Sequence, residues 1–128
     1  PLHILKKIIP FMMKNKFGRI LNCSSIGVKF GGGRNNYNYS LSKHLLEFIP
    51  SDSKKWAKSN VLINNLRIGV TKTKIHSKII NKNLNDRIKL IPLGRMANTK
   101  EISEFIFYLS TENNSFITNE TLTIAGGE

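Results

Sequence analysis

A chain of 128 residues with 40% hydrophobic residues fills one domain at most, and no apolar run approaches the roughly 18–20 residues that cross a bilayer. Twenty basic residues against eight acidic give a formal charge of +12, but fifteen of the twenty are lysines spread along the whole chain, so the charge is read as a solvated basic surface and not as a specific nucleic-acid site. One cysteine, Cys23, excludes an internal disulfide and points to a reducing, cytoplasmic setting, and one cysteine with three scattered histidines makes no metal site.

The chain opens on Pro1 and falls at once into a helical pattern, which reads as the interior of a longer protein. Leu2, Leu5, Ile9 and Met12 recur at helical spacing. Pro10 is expected to interrupt that helix and Gly18 to stop it. Arg19 to Cys23 reads as a buried strand, with Cys23 as an apolar filler. Ser24 to Asn38, rich in Gly, Asn and Ser, reads as a loop. From Tyr39 to about Lys58 the pattern is helical, with Leu41, Leu45, Phe48 and Ile49 as its apolar stripe and a break at Pro50. Ser51 or Asp52 is the expected cap of the second piece, which carries Trp56 into the packing. Val61 to Ile68 is a strand, and Gly69 to Ile91 is polar and irregular. Thr99 is expected to cap a helix over 100–110, with Ile102, Phe105, Ile106 and Leu109 as its apolar face. Glu120 to Ala125 alternates as a last strand. Helices alternating with strands predict an α/β fold with a parallel sheet. Three strands leave edges that need partners.

Tyr39-Ser40-Leu41-Ser42-Lys43 puts a tyrosine and a lysine four apart, on one face of a helix. A phenol ordinarily ionises near pH 10, and a neighbouring ammonium favours the phenolate. A tyrosine so placed can give a proton to a carbonyl oxygen or take one from an alcohol. A serine opposite it steadies that oxygen as charge develops. Ser25, fourteen residues earlier at the end of a strand, lies where α/β sheets hold ligands.

Five segments in order resemble the C-terminal half of a short-chain dehydrogenase/reductase. They are Gly18 to Ser25, Tyr39 to Lys43, Ile63 to Thr73, Arg87 to Arg95, and Phe116 to Asn119 followed by Thr123 to Gly127. The resemblance implies half of a Rossmann-type, doubly wound parallel sheet, with residues 1–128 as a partial single domain carrying the catalytic and substrate-lid half. It implies an NAD(P)-dependent oxidoreductase that moves hydride between nicotinamide and a carbonyl or alcohol substrate. Ser25 would be the catalytic serine and Tyr39 the acid/base. Lys43 would tune Tyr39 and hold the nicotinamide ribose. Ile68, Gly69, Thr71 and Thr73 would line the nicotinamide, and residues 74–90 would form the lid. The run Ile91-Pro92-Leu93-Gly94-Arg95 and the Gly126-Gly127 end resemble the 3-oxoacyl carrier-protein reductases. Family analogy also implies a homotetramer, with no membrane and no specific nucleic acid as partner.

Several positions depart from the family pattern. Ile68-Gly69 stands for the usual Pro-Gly, Asn119 for a usual glycine, and the Ser25–Tyr39 spacing is one residue longer than usual. The Gly-rich phosphate loop, the residue that selects NAD or NADP, and the asparagine of the catalytic tetrad would all lie upstream of Pro1. The rival expectation is a truncated or pseudogene fragment, catalytically inert for want of a dinucleotide site. His3 and His44 are read as packing or interface residues. His76 and Arg95 are weighed as substrate contacts, with an ion pair as the alternative for Arg95.

Overall fold

A computed structural model describes residues 2–74 and 84–128. Among these residues, helices α1 (Leu2–Lys14), α2 (Tyr37–Leu46), α3 (Ser53–Ala57), α4 (Leu84–Lys89) and α5 (Thr99–Ser110) surround three strands. The strands are β1 (Gly18–Ser25), β2 (Val61–Ile68) and β3 (Thr121–Ile124), and both pairings are parallel, in the order β1-β2-β3. The expected α/β architecture with a parallel sheet is the one observed. No helix among the described residues is long and apolar enough to cross a membrane.

The central strand carries the core. Val61 to Leu66 are all buried, as a parallel strand covered on both faces should be. Val61 and Ile63 meet Leu5 and Ile9, one turn apart on α1, and Met12, Ile49 and Trp56 pack around them. Trp56 thus packs as expected. Residues two further along β2 keep the same face. Accordingly, the side chains of Asn65 and Arg67 both reach Glu47, just past α2. Asn64 points to the opposite face, where its amide donates to the Ile117 carbonyl and its oxygen accepts from the Glu120 N–H. Two neighbouring buried asparagines therefore sit mid-strand with their polar atoms bonded, which is the condition for burying them.

Several local expectations need correction. Helix α1 runs straight through Pro10, which lies on its exposed side. Lys16, at φ 52°, closes that helix, and Gly18 opens β1. A Cβ on Gly18 would lie 2.6 Å from the Met12 sulfur, so this glycine permits close approach and does not cap the helix. Helix α2 begins two residues before Tyr39 and ends at Leu46. It turns Ser40 inward and leaves Leu41 and Leu45 exposed; of the expected apolar stripe, Ile49 packs on the core, while Leu41, Leu45 and Phe48 face away from it. Cys23 is exposed among the described residues and not buried. The cap of α5 is Asn98 instead of Thr99, and β3 is shorter than expected by one residue at each end. Asp52 does hold the cap position of α3, but its side chain makes no capping bond and pairs with Lys55 at 3.1 Å.

Helix α5 starts on a complete capping box. The Glu101 N–H donates to Asn98 Oδ1 at 2.8 Å, and the Asn98 N–H donates to Glu101 Oε2 at 2.7 Å. Arg95 closes on the same carboxylate with two bonds of 2.9 and 2.7 Å, the ion pair that was the alternative expected for it. Its side-chain bonds to Arg95, and then the bond from Asn98, pull Glu101 down from 4.5 to about 2. A depressed folded value gives stability that is complete above the unfolded value near 4.5 and is lost as pH falls toward about 2. Because the pair is open to solvent, its contribution is small and falls with salt. An NMR titration of Glu101 is expected to show a midpoint near 2. A midpoint in the ordinary carboxylate range would mean that the fork is not formed in solution.

The chain end returns to the middle of the sequence. The Leu93 N–H donates to the Gly126 carbonyl at 3.1 Å, and a Cβ on Gly126 would meet Ile91 at 2.7 Å. The Ile91–Gly94 run and the Gly126-Gly127 end, more than thirty residues apart, are thus two sides of one contact. Asn119, in place of a glycine, has φ 62° and donates its N–H to the Ile63 carbonyl at 2.7 Å. Asparagine is the side chain that best tolerates that left-handed conformation after glycine.

Candidate active site

The C-terminal ends of the three strands lie side by side. Ser25 pairs with Ile68, and Ile68 pairs with Ile124. The Ser25 hydroxyl accepts the Gly27 N–H at 3.2 Å and caps the short 3-10 turn Ile26–Val28 that follows. Its own hydrogen is not spent in that bond. Ser25 therefore stands at a strand end with its side chain fixed from behind.

Helix α2 brings the other groups to this edge. Tyr39 and Lys43 share one face: the Lys43 ammonium lies 6.0 Å from the centre of the Tyr39 ring and 3.4 Å from the Cys23 carbonyl. The Tyr39 side chain is half exposed, at 51%. The helix is tied to β1 by Ser24, which is buried and donates its hydroxyl to the Lys43 carbonyl at 3.2 Å. One turn beyond Lys43, Glu47 takes a two-pronged bond from Arg67, at 2.8 and 2.6 Å. The Arg67 bonds hold the Glu47 carboxyl below the usual carboxylate range. Burial opposes them, and the Ser24 hydroxyl and the His44 side chain add to them. Glu47 in turn raises Arg67.

The segment after β2 has its own constraints. The Gly69 N–H donates to the Ile124 carbonyl at 2.9 Å, and a Cβ on Gly69 would lie 2.6 Å from the Ala125 Cα. No other residue allows the chain to pass this close to β3. The Thr71 hydroxyl donates back to the Gly69 carbonyl at 3.1 Å, and Thr71 forms a parallel bridge with Ala97. Thr73 is exposed in a bend. Ser25, Ile68, Gly69 and Thr71 thus gather at one sheet edge, with Lys43 reaching that edge from α2. Thr73 lies further out. Most of the expected lid, with His76, falls outside the described residues.

Three residues that position the site were not singled out from the sequence: Ser24, Glu47 and Arg67. Ser24 and Arg67 are register partners on the rung before Ser25 and Ile68. The available signal was Arg67 itself, the one charged residue of the strand Val61–Ile68, which demands a partner when it is covered. Among the described residues no group of three or more His, Cys, Asp or Glu side chains is placed to hold a metal ion.

Comparison with known proteins identifies what the chain is similar to. Residues 1–128 match the family model described as enoyl-(acyl carrier protein) reductase. The chain is 35% identical over 118 residues to the 3-oxoacyl-[acyl-carrier-protein] reductase FabG of Aquifex aeolicus, covering 91% of this chain and 47% of that protein. It is 33% identical over 117 residues to the acetoacetyl-CoA reductase of an Acinetobacter strain, covering 91% of this chain and 47% of the relative. Among solved structures, a 3-oxoacyl (acyl-carrier-protein) reductase from Agrobacterium tumefaciens with NADP bound superposes with a TM-score of 0.80 at 25% identity. That match covers 99% of this chain and 51% of the other. The chain spans about half the length of the relatives it matches.

Proposed function

The chain belongs to the short-chain dehydrogenase/reductase family, and from that premise we propose that it carries the catalytic half of an NAD(P)-dependent oxidoreductase acting on a carbonyl or alcohol carbon. The observation that carries this reading is the placement of Tyr39 and Lys43 on one face of α2, with the Lys43 ammonium against the Cys23 carbonyl beside the Ser25–Ile68 rung. The named relatives reduce 3-oxoacyl and acetoacetyl thioesters, so a 3-oxoacyl thioester is the proposed substrate class.

The residues present suit the nicotinamide-ribose end of a dinucleotide. The Lys43 ammonium makes one long bond to a carbonyl and keeps further N–H donors for a diol. The Tyr39 side chain is open to solvent, and the chain from Ile68 through Thr73 borders the same edge with backbone groups and two threonine hydroxyls. Lys43 and Tyr39 would hold the ribose, and Ile68, Gly69, Thr71 and Thr73 would lie along the ring. The bound nicotinamide supplies the hydride. Tyr39 gives its phenolic proton to the carbonyl oxygen on reduction and recovers it on oxidation. The Ser25 hydroxyl, held by the Gly27 N–H, donates to that oxygen as negative charge develops on it. The Lys43 ammonium, 6.0 Å from the ring centre, is the cation that faces Tyr39 as its proton moves.

The protein is expected to consume NADPH in step with a 3-oxoacyl thioester. The rival reading, that a polypeptide of these residues alone is inert, follows from the half-length match to the relatives. Titrating the 128-residue chain with NADPH separates the two: saturable binding sinks the inert reading.

A further inference from the structure

We propose that the buried Glu47–Arg67 pair is the positioning element that sets Lys43 at the sheet edge, an inference that rests on the role proposed above for Lys43. The pair occupies the rung before the one that carries Ser25. Ser24 and Arg67 face each other across β1 and β2, and both point to α2. From there Arg67 reaches Glu47 through Nε and Nη2, at 2.8 and 2.6 Å. The Glu47 side chain is only 7% exposed and that of Arg67 24%.

Glu47 lies four residues after Lys43, one helical turn on, and so stacks behind it on one face. The backbone of Glu47 is fixed as well: its carbonyl accepts the Asn65 amide at 2.8 Å. The Ser24 hydroxyl lies between the Lys43 carbonyl and the Glu47 carboxylate. The end of α2 is therefore bolted to β1 by a hydroxyl at the Lys43 carbonyl itself and to β2 by charge one turn further on, at Glu47. Among the described residues its ammonium makes one hydrogen bond, to the Cys23 carbonyl at 3.4 Å, and lies 6.0 Å from the centre of the Tyr39 ring. A contact that long does not fix a four-carbon side chain, so the placement of Lys43 depends on where the helix sits. His44 also approaches Glu47, at 3.9 Å, but its side chain is 66% exposed, and the fork to Arg67 is the shorter and better-aligned bond.

The test is calorimetric titration with NADPH of the whole protein as wild type, Arg67→Met, Lys43→Met and Leu109→Ala. Leu109 is buried on α5, so its truncation lowers stability without touching α2. Arg67→Met is expected to weaken NADPH binding about tenfold at unchanged stoichiometry. It is also expected to lower kcat between about tenfold and a hundredfold, with KM for a 3-oxoacyl thioester within about twofold of wild type. A merely structural role would instead lower the stoichiometry at unchanged affinity, as Leu109→Ala is expected to do, and that result for Arg67→Met overturns the proposal. If Lys43→Met weakens NADPH binding and Arg67→Met does not, the strut fails while the role of Lys43 stands. If Lys43→Met leaves binding unchanged, the role of Lys43 fails, and the strut fails with it.

Discussion

Tyr39→Phe is expected to lower turnover of a 3-oxoacyl thioester by about 10²–10⁴-fold, the range that a positioned general acid contributes. The substitution removes one oxygen and leaves the ring. The Tyr39 side chain is half exposed, so neither packing nor stability should change, and the thermal midpoint should match wild type. Helix α2 keeps its anchors, because the Ser24 hydroxyl bonds to the Lys43 backbone and Arg67 to the Glu47 side chain. NADPH binding should weaken far less than turnover falls, since Lys43 remains. Steady-state kinetics with a parallel binding titration checks both halves. A Tyr39→Phe protein with turnover within threefold of wild type would remove Tyr39 from the chemistry. A variant that loses cofactor binding and turnover in equal measure would make Tyr39 a binding group only.

Asn65→Leu is expected to be the most destabilising conservative change in the sheet. Leucine keeps the branching of asparagine at Cγ but is bulkier, so no cavity opens and any steric cost adds to what is lost. What is lost is a junction: the Asn65 amide donates to the Glu47 carbonyl at 2.8 Å and to the Thr121 hydroxyl at 3.1 Å, while its oxygen accepts the Asn22 amide at 3.0 Å. One fully buried side chain thereby joins β2 to β1, to β3 and to the end of α2. The Asn22 amide and the Glu47 carbonyl are partly buried and the Thr121 hydroxyl is exposed; at about 1–3 kcal/mol for each of the first two left without a bond, the total is about 2–6 kcal/mol, a large part of the stability of an ordinary domain. Urea unfolding of the variant should show a lower midpoint at an unchanged slope. A loss below about 1 kcal/mol would mean that the freed groups find other partners, and that the junction is not what orders the three strands.

The sequence made some parts of this molecule legible and hid others for physical reasons. The apolar run Val61-Leu62-Ile63 with Leu66, and the spacing of Leu5 and Ile9, report burial directly. The strand–helix order and parallel sheet follow from that burial. Tyr39 and Lys43 were legible because their relation is local, four residues along one helix. The Arg67–Glu47 bond was not, because it joins residues twenty apart whose meeting depends on the register of β1 with β2 and on where α2 ends. The outward face of α2 misled for a related reason. Leu41, Leu45 and Phe48 make a convincing apolar stripe, yet the sheet-facing side is built from Ser40, Lys43 and the approach to Glu47. Apolar periodicity reports that a face is buried somewhere, and it cannot distinguish the sheet from another surface. Asn98 and Thr99 are both good caps, and only the Glu101 carboxylate three residues after Asn98 decides between them.

The central claim is that Tyr39, Lys43 and Ser25 serve hydride exchange between a nicotinamide and a carbonyl carbon. Its most direct test is to supply the protein with NADPH deuterated at the transferring carbon of the nicotinamide and with a 3-oxoacyl thioester, and to follow the label by mass spectrometry. The account predicts one deuterium on the carbinol carbon of a 3-hydroxyacyl product, formed by the wild-type protein and nearly absent with Tyr39→Phe. Unlabelled thioester recovered from the wild-type protein, or equal labelling by both proteins, would contradict it.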